Sequence, residues 1–190
     1  AFDEATAILA GDALLTFAFE ILSDAATHPD AEVRMALVSK LAKAAGVAGM
    51  VGGQMLDIEA ETKSDAAELA HIGLIQSLKT GALFRYACEA GAILGGADPA
   101  PLIRYAQKIG LAFQIADDIL DVESTPETLG KATQKDKAMG KATFVDLLGL
   151  DEAKRRAAAL VDEAVESLST YGARAEVLAD AARFIVARRK

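Results

Sequence analysis

The segment Gly110-Leu-Ala-Phe-Gln-Ile-Ala-Asp-Asp-Ile-Leu-Asp121 decides the fold, because it sets carboxylates among apolar residues at helical spacing. A helix turns about 100° per residue, so Asp117 and Asp121 lie about 40° apart, and Asp118 falls with them within one arc of about 100°. Gln114, one turn earlier, falls inside that arc too. The segment therefore predicts a buried helix with one acidic strip, formed by Asp117, Asp118 and Asp121.

The acidic strip predicts a metal site. Clustered carboxylates repel each other unless a cation lies between them. Mg²⁺ is a hard cation that binds carboxylates together with substrate phosphates. The alternative is an acidic helix face in plain contact with water. The apolar residues around and between the aspartates favour the metal site.

The composition predicts an all-α fold. The chain has 190 residues, of which 52% are hydrophobic and only 5% aromatic, and it has no tryptophan. Its apolar content is mostly alanine and aliphatic residues, and alanine is the best helix former. A sheet protein would need more β-branched and aromatic residues. The length suits a single domain over residues 1–190 with a sizeable core.

Charge and cysteine content narrow the classes of partner and compartment. The net charge of −8 argues against nucleic acid, whose phosphates need a basic surface. The single cysteine, Cys88, excludes an internal disulfide and suits a reducing cytoplasm. No apolar run looks long enough to span a bilayer. We therefore expect a cytoplasmic protein without stable membrane insertion.

Apolar periodicity predicts a series of long helices on both sides of the acidic segment. The first is expected to bury Ile8, Leu15, Phe19 and Leu22 on one face. Asp30 is the expected N-cap of the second, whose recurring glycines indicate close contact with another backbone or a ligand. The predicted helices cover residues 4–26, 31–56, 66–94, 101–122, 144–148, 151–170 and 173–187.

Three further features lie near the acidic strip in the predicted chain order. Lys79 shares an apolar face of its helix, where it either extends to solvent or meets an anion, and Thr80-Gly81 follows it. The glycine-punctuated basic segment around Lys131 and Lys141 predicts a lid over a phosphate, or else a solvated loop. Gln54 and Asp57, three residues apart, are expected to share a helix face.

These motifs together resemble the trans-prenyl diphosphate synthase family. Gly110 to Asp121 resembles its second aspartate-rich motif. Matches to the same family follow the same order along the chain: Leu9-Ala-Gly-Asp-Ala-Leu14, Gly53-Gln-Met-Leu-Asp57, Lys79-Thr-Gly-Ala-Leu-Phe84 and Thr128-Leu-Gly-Lys131. The resemblance extends from near Ala1 to Lys190 and is strongest to bacterial farnesyl diphosphate synthases. It implies an isoprenoid synthase-type helical bundle around a deep central cavity.

The resemblance also implies a role for each motif. Asp117 would bind Mg²⁺, with Asp118 and Asp121 in the same metal–diphosphate cluster and Asp57 assisting from a facing helix. The residues implied in substrate binding and catalysis are Lys79, Lys131 and Lys141 for the allylic diphosphate, Thr80 and Gln114 for the developing cation, and Phe113 and Gln54 beside the substrates. The basic end, Arg188-Arg189-Lys190, would close over the second diphosphate.

The implied reaction condenses an allylic diphosphate with isopentenyl diphosphate to give farnesyl diphosphate and pyrophosphate. The alternatives are a geranylgeranyl or longer-chain synthase, a class I terpene cyclase, a non-catalytic synthase-like subunit, and a plain helical interaction domain. The family's first aspartate-rich motif and its upstream Gly-Lys-Arg segment have no match, so we expect an N-terminal part to be missing and these 190 residues alone to be inactive. A homodimer is expected.

Overall fold

A computed structural model describes residues 2–62, 69–123 and 143–188, and every regular element in these ranges is helical. The all-α prediction is therefore confirmed. The helices are α1 (Glu4–Ser23), α2 (Ala31–Ala45), α3 (Met50–Thr62), α4 (Leu69–Lys79), α5 (Gly81–Leu94), α6 (Ala100–Glu123), α7 (Phe144–Leu148), α8 (Leu150–Ser167) and α9 (Glu176–Ala187), with a 3₁₀ helix at Ser169–Ala175 before α9.

Helix α6 lies at the centre of the described structure. It packs most extensively on α8, and also on α5, α9, α4 and α7. Its buried residues include several alanines, which let neighbouring helices approach closely. Tyr105, only 1% exposed, donates a hydrogen bond from its hydroxyl to the carbonyl of Leu178 in α9 at 2.7 Å. The predicted helix over residues 101–122 is thus confirmed as a core element.

The predicted helix over residues 31–56 is divided in two. It begins as expected, with the Asp30 side chain accepting from the Glu32 N–H at 2.8 Å. Helix α2 then ends at Ala45, and Gly46 caps it by donating its N–H to the carbonyl of Ala42. The cause is the run of glycines, which weakens the helix at this point.

The predicted helix over residues 66–94 also breaks, at Thr80, and the break matters for the site. A Cβ added at Gly53 in α3 would lie 2.2 Å from the backbone nitrogen of Lys79, so α3 crosses the end of α4 at backbone contact. The sequence prediction that a glycine marks a close approach is confirmed here.

Helices α5 and α6 form an antiparallel hairpin. A Cβ added at Gly110 would lie 3.5 Å from the Cα of Gly81, so the beginning of α5 lies against the middle of α6. The chain leaves this contact along α5 and returns to it along α6. The Lys79-Thr80 break directly precedes this contact in the chain, and the acidic strip follows Gly110 in the second half of α6.

Helix α1 differs from its prediction, because none of its residues is buried. Phe19 and Leu22 are half-buried, whereas Ile8 and Leu15 are 58% and 42% exposed. Two stretches are long and apolar enough to cross a membrane by length and composition: Glu4–Ser23, and Ala31–Ala60, which runs from α2 into α3. This corrects the expectation that no run reaches that length. Core helices of soluble proteins and N-terminal signal sequences meet the same criterion of length and composition.

Candidate functional site

The acidic strip lies on a partly exposed face of α6. Asp117 is exposed, and Asp118 and Asp121 are half-buried. The residues between and before them, such as Ile115 and Ile119, belong to the core. The helix is therefore fixed by its apolar side while the carboxylates remain within reach of solvent and ligands.

Asp117 forms an ion pair with an arginine from the end of the chain. The Nη2 atom of Arg188 donates to the Asp117 carboxylate and lies 3.4 Å from the carbonyl oxygen of Phe113. The guanidinium carbon stands 4.1 Å from the centre of the Phe113 ring, within the range of a cation–π contact. The structure thus joins the first aspartate, Phe113 and the basic end of the chain. Arg189 and Lys190 lie outside the described residues.

Asp118 contacts a different part of the chain. Its Oδ2 accepts a hydrogen bond from the backbone N–H of Phe144 at 2.7 Å. Phe144 is the first residue of α7, where Thr143 and Asp146 form a capping box. The Thr143-to-Asp146 spacing is a sequence signal for a helix start, but it does not reveal this distant acceptor. Lys131 and Lys141 lie outside the described residues.

Lys79 meets an anion, which answers the question left open by its place on an apolar face. Its Nζ lies 2.6 Å from the Oδ2 of Asp57, and the Asp57 side chain is only 10% exposed. Burying a lone carboxylate is unfavourable, so the pair stabilises both charges. The close crossing at Gly53, one turn before Asp57, makes the contact reachable.

The other predicted site residues differ in how far they are buried. Thr80 and Gln114 are both half-buried. Thr80 directly precedes α5, and Gln114 lies within α6. The rings of Phe84 and Phe113 pack at 5.6 Å with a 50° tilt. Gln54 is exposed although Asp57 is buried, so these two residues do not share an environment. Their implied roles stay predictions.

The donors fit a magnesium ion that is held partly by a substrate. Within the described ranges, no group of three or more histidine, cysteine or carboxylate side chains is arranged around one metal position. Mg²⁺, however, is commonly bound by one or two carboxylates plus phosphate oxygens and water. Asp117 and Asp121, one turn apart on α6, offer that set. Their oxygen donors suit Mg²⁺ better than a soft metal.

A cavity of about 270 Å³ opens beside the strip, between α6, α8 and α9. Its walls are mainly apolar, with Ile119 and Ile185 among them, and Arg188 lies at its edge. The Nζ of Lys154 lies 2.5 Å from a carboxylate oxygen of Glu123 at the same cavity. This cavity differs from the deep central one implied by the resemblance, which stays a prediction.

Comparisons with known sequences give consistent matches. A family model described as polyprenyl synthetase matches residues 1–181. Farnesyl diphosphate synthase of Escherichia coli strain K12 is 46% identical over 205 residues, which covers 100% of this chain and 65% of that protein. Geranylgeranyl diphosphate synthase of Cyanophora paradoxa is 42% identical over 190 residues, covering 98% of this chain and 63% of that protein.

Solved structures agree with the sequence matches. A farnesyl/geranylfarnesyl diphosphate synthase from Zymomonas mobilis, in its apo form, superposes with a TM-score of 0.86 at 48% identity and covers 97% of this chain. A geranyltransferase from Helicobacter pylori, complexed with magnesium and isoprenyl diphosphate, gives 0.78 at 32% identity and also covers 97%. This chain spans 62% and 60% of those two chains, less than two-thirds of either.

Proposed function

This chain belongs to the polyprenyl synthetase family, and from that premise we propose that it forms the larger part of a Mg²⁺-dependent prenyl diphosphate synthase. The observation that carries the proposal is the acidic strip on α6, the same helix against which the residue after the Lys79-Thr80 break, Gly81, packs at Gly110. Carboxylates and a lysine at one end of a hairpin suit a diphosphate bound together with a divalent cation. The reaction is the transfer of an allylic group to isopentenyl diphosphate.

The leaving group determines what the site must supply. Mg²⁺, when bound, acts as a Lewis acid that neutralises the diphosphate of the allylic substrate. Asp117 and Asp121 would hold the ion, Asp118 would add its charge to the same cluster, and Asp57 would support it from α3. Lys79 would donate to the diphosphate oxygens. Lys131 and Lys141 are proposed for the same task on the strength of the resemblance.

The proposed reaction then proceeds through an allylic carbocation. The carbon–oxygen bond of the allylic diphosphate breaks, and the double bond of isopentenyl diphosphate attacks the allylic cation. The pyrophosphate freed by that cleavage would accept the proton whose loss restores a double bond, and would then leave the site. The oxygens of Thr80 and Gln114 would stabilise the developing positive charge. Phe113, with Gln54 nearer the surface, would line the substrate region, and apolar walls exclude water that would quench the cation.

The product is proposed to be farnesyl diphosphate. The Escherichia coli relative bears that name, and the Cyanophora paradoxa relative, a geranylgeranyl diphosphate synthase, supports a longer product as the second candidate. We also propose a cytoplasmic homodimer that binds neither nucleic acid nor membrane stably. The acidic charge and the lone cysteine support the location, and the exposed apolar residues of α1 favour association.

The decisive test replaces the first aspartate. In the complete protein, Asp117→Ala should lower Mg²⁺-dependent pyrophosphate release from dimethylallyl and isopentenyl diphosphates by roughly 100-fold or more, because a group that stabilises the leaving charge is lost. Asp162→Ala removes an exposed carboxylate from α8 and serves as the matched control. Release within a few-fold of the parent after Asp117→Ala would show that the metal assignment is wrong.

The same assay separates the rivals. A non-catalytic subunit would release no pyrophosphate under any condition. A terpene cyclase would release it from a longer allylic diphosphate alone, without isopentenyl diphosphate. The proposed synthase requires both substrates. Analysis of the prenyl product by mass spectrometry then distinguishes the farnesyl from the geranylgeranyl chain length.

A further inference from the structure

Arg188 occupies the carboxylate to which the proposed function assigns the metal ion. Its Nη2 donates to Oδ1 of Asp117, and its guanidinium covers the ring of Phe113. The Arg188 side chain is only 15% exposed, whereas that of Asp117 is 46% exposed. Arg188 therefore pairs with the first aspartate and covers the aromatic ring one turn before it.

A guanidinium and a divalent cation exclude each other at such a site. Both are attracted to the same carboxylate, and like charges in contact repel strongly where water is partly excluded. An ion that binds the Asp117 oxygens must therefore displace Arg188, or bind against its charge. The Asp117 side chain is 46% exposed, so part of it remains accessible to solvent.

The position of Arg188 in the chain allows it to leave. It follows Ala187, the last residue of α9, and its backbone N–H donates to the carbonyl of Phe184 at 3.0 Å. A side chain at a helix end can change its rotamer while the helix stays in place. Its Nε is buried without a hydrogen-bond partner, so the paired state leaves one donor unsatisfied. An unsatisfied donor lowers the stability of that state.

We infer that Arg188 is the resident counter-ion of Asp117, which binds the carboxylate when no metal is present and leaves when the metal ion arrives. The inference rests on the proposed function, since it takes Asp117 to bind the ion. Departure of Arg188 also uncovers Phe113, so occupation of the metal position and exposure of this ring change together. The paired state lowers the apparent affinity for the ion by the fraction of molecules that hold the pair.

The first experiment measures Mn²⁺ binding by electron paramagnetic resonance in the complete protein. Asp117→Ala defines the part of the binding that depends on this carboxylate. If about nine molecules in ten hold the ion pair, Arg188→Gln should lower the Kd of that part about tenfold. Arg188→Lys, which keeps a charge, should bind more like the parent. Arg183→Gln is the matched control, because Arg183 lies on the same helix and pairs with Asp180 instead.

Two outcomes overturn the inference. Arg188→Gln with an unchanged or raised Kd would show that the arginine does not compete with the ion. An equal tightening in Arg183→Gln would show a general effect of charge rather than a pair at Asp117. Neither outcome concerns pyrophosphate release, so a failure here is distinct from a failure of the proposed function.

A second experiment measures the accessibility of Arg188 in the unaltered protein, so it does not depend on the folding of any variant. Phenylglyoxal modifies accessible arginines, and mass spectrometry of the peptide that contains Arg188 reports the extent at this residue. Saturating Mn²⁺ should raise the modification rate of Arg188 several-fold while the rate at Arg183 stays the same. A rate at Arg188 that Mn²⁺ leaves unchanged or lowers would contradict displacement.

Discussion

Asp118 joins two parts of the chain that stand 26 residues apart, by accepting the Phe144 N–H. Asp118→Ala would leave this donor without its acceptor beside a buried ring, and we expect the free energy of unfolding to fall by about 1–2 kcal/mol. Asp118→Asn keeps a side-chain oxygen at the same position, so it should lose less than half of that. Urea unfolding, with the slope m compared between variants, measures both losses.

Asp162→Ala again provides the baseline, as an exposed aspartate in α8 whose loss should change stability by less than about 0.5 kcal/mol. If asparagine and alanine at position 118 proved equally destabilising, the hydrogen bond to Phe144 would not be the cause. Pyrophosphate release by Asp118→Asn then tells how far the residue acts through its charge rather than through this bond.

Single residues show how far sequence reasoning reaches. The sequence placed Lys79 on an apolar face of its helix, and Ile72 and Ile75 of that helix are buried. The identity of its partner could not follow from local spacing, because Asp57 lies 22 residues earlier. The same limit applies to Arg188, which stands 71 residues from Asp117. Patterns report which residues carry charge on an apolar face, whereas the packing of distant helices decides which charges meet.

Gly53 governs how α3 crosses the end of α4. Gly53→Ala would place a methyl group 2.2 Å from the backbone nitrogen of Lys79, where no flexible side chain can move aside. The helices must separate, so we expect a loss of at least about 2–3 kcal/mol in the free energy of unfolding. The separation should also weaken the Asp57–Lys79 pair. Thermal or urea unfolding of the complete protein measures the loss.

Gly73 is the matched control for this prediction, because a Cβ added there meets nothing within 4 Å. It lies within α4, where alanine is favoured over glycine by roughly 0.5–1 kcal/mol. Gly73→Ala should therefore leave the protein as stable as the parent or more so. Similar effects of the two substitutions would contradict the backbone contact at Gly53.

Helix positions were largely predictable from the sequence, but two interruptions were not. The helix over residues 101–122 matches α6 because its apolar residues repeat without a gap. The predicted helix over 31–56 contains enough glycine to break, yet propensity alone does not say at which glycine. The break at Thr80 has no strong local signal. It is fixed by tertiary contacts, with α3 lying against Lys79 and α6 against Gly81.

Tyr105 couples α6 to α9 and gives the structure a dependence on alkaline pH. Burial, followed by the charge of the nearby Cys88 thiolate, raises the pKa of Tyr105 from 10.0 to about 12. Folding thus favours the neutral phenol. Its contribution to stability is complete below pH 10 and is lost as the pH rises from 10 toward 12. Two pKa units correspond to about 2–3 kcal/mol.

The measurement for Tyr105 is the free energy of unfolding between pH 9 and pH 12, for the parent and for Tyr105→Phe. The variant lacks the hydroxyl that donates to the carbonyl of Leu178, so it should be less stable at pH 9. Because phenylalanine does not titrate, the gap between the two proteins should narrow above pH 10. A constant gap across the range would mean that the phenol titrates normally in the folded state.

At the scale of the whole molecule, the sequence was enough to predict an all-α fold. It was not enough to predict which apolar helix faces are exposed. An alanine-rich chain of low aromatic content indicates helices whatever their arrangement. Which apolar face is covered depends on every neighbouring element. Helix α1 has Phe17 at 51% and Leu14 at 69% exposure, although its sequence reads like a core helix. Its packing partner within the described chain is mainly α2.

Ligand linkage tests the site through the stability of the whole molecule. A ligand that binds only the folded state raises its stability by about 2.7 kcal/mol at 100 times its Kd, which corresponds to roughly 5–10 °C in Tm for a chain of this size. Because phosphate oxygens complete the ligands of an ion held by one or two carboxylates, we expect a larger shift when Mg²⁺ and pyrophosphate are both present than with Mg²⁺ alone. Asp117→Ala should abolish it, and Asp162→Ala should retain it. A full shift with pyrophosphate alone would show that the lysines bind the anion without metal, and the acidic strip would then need another explanation.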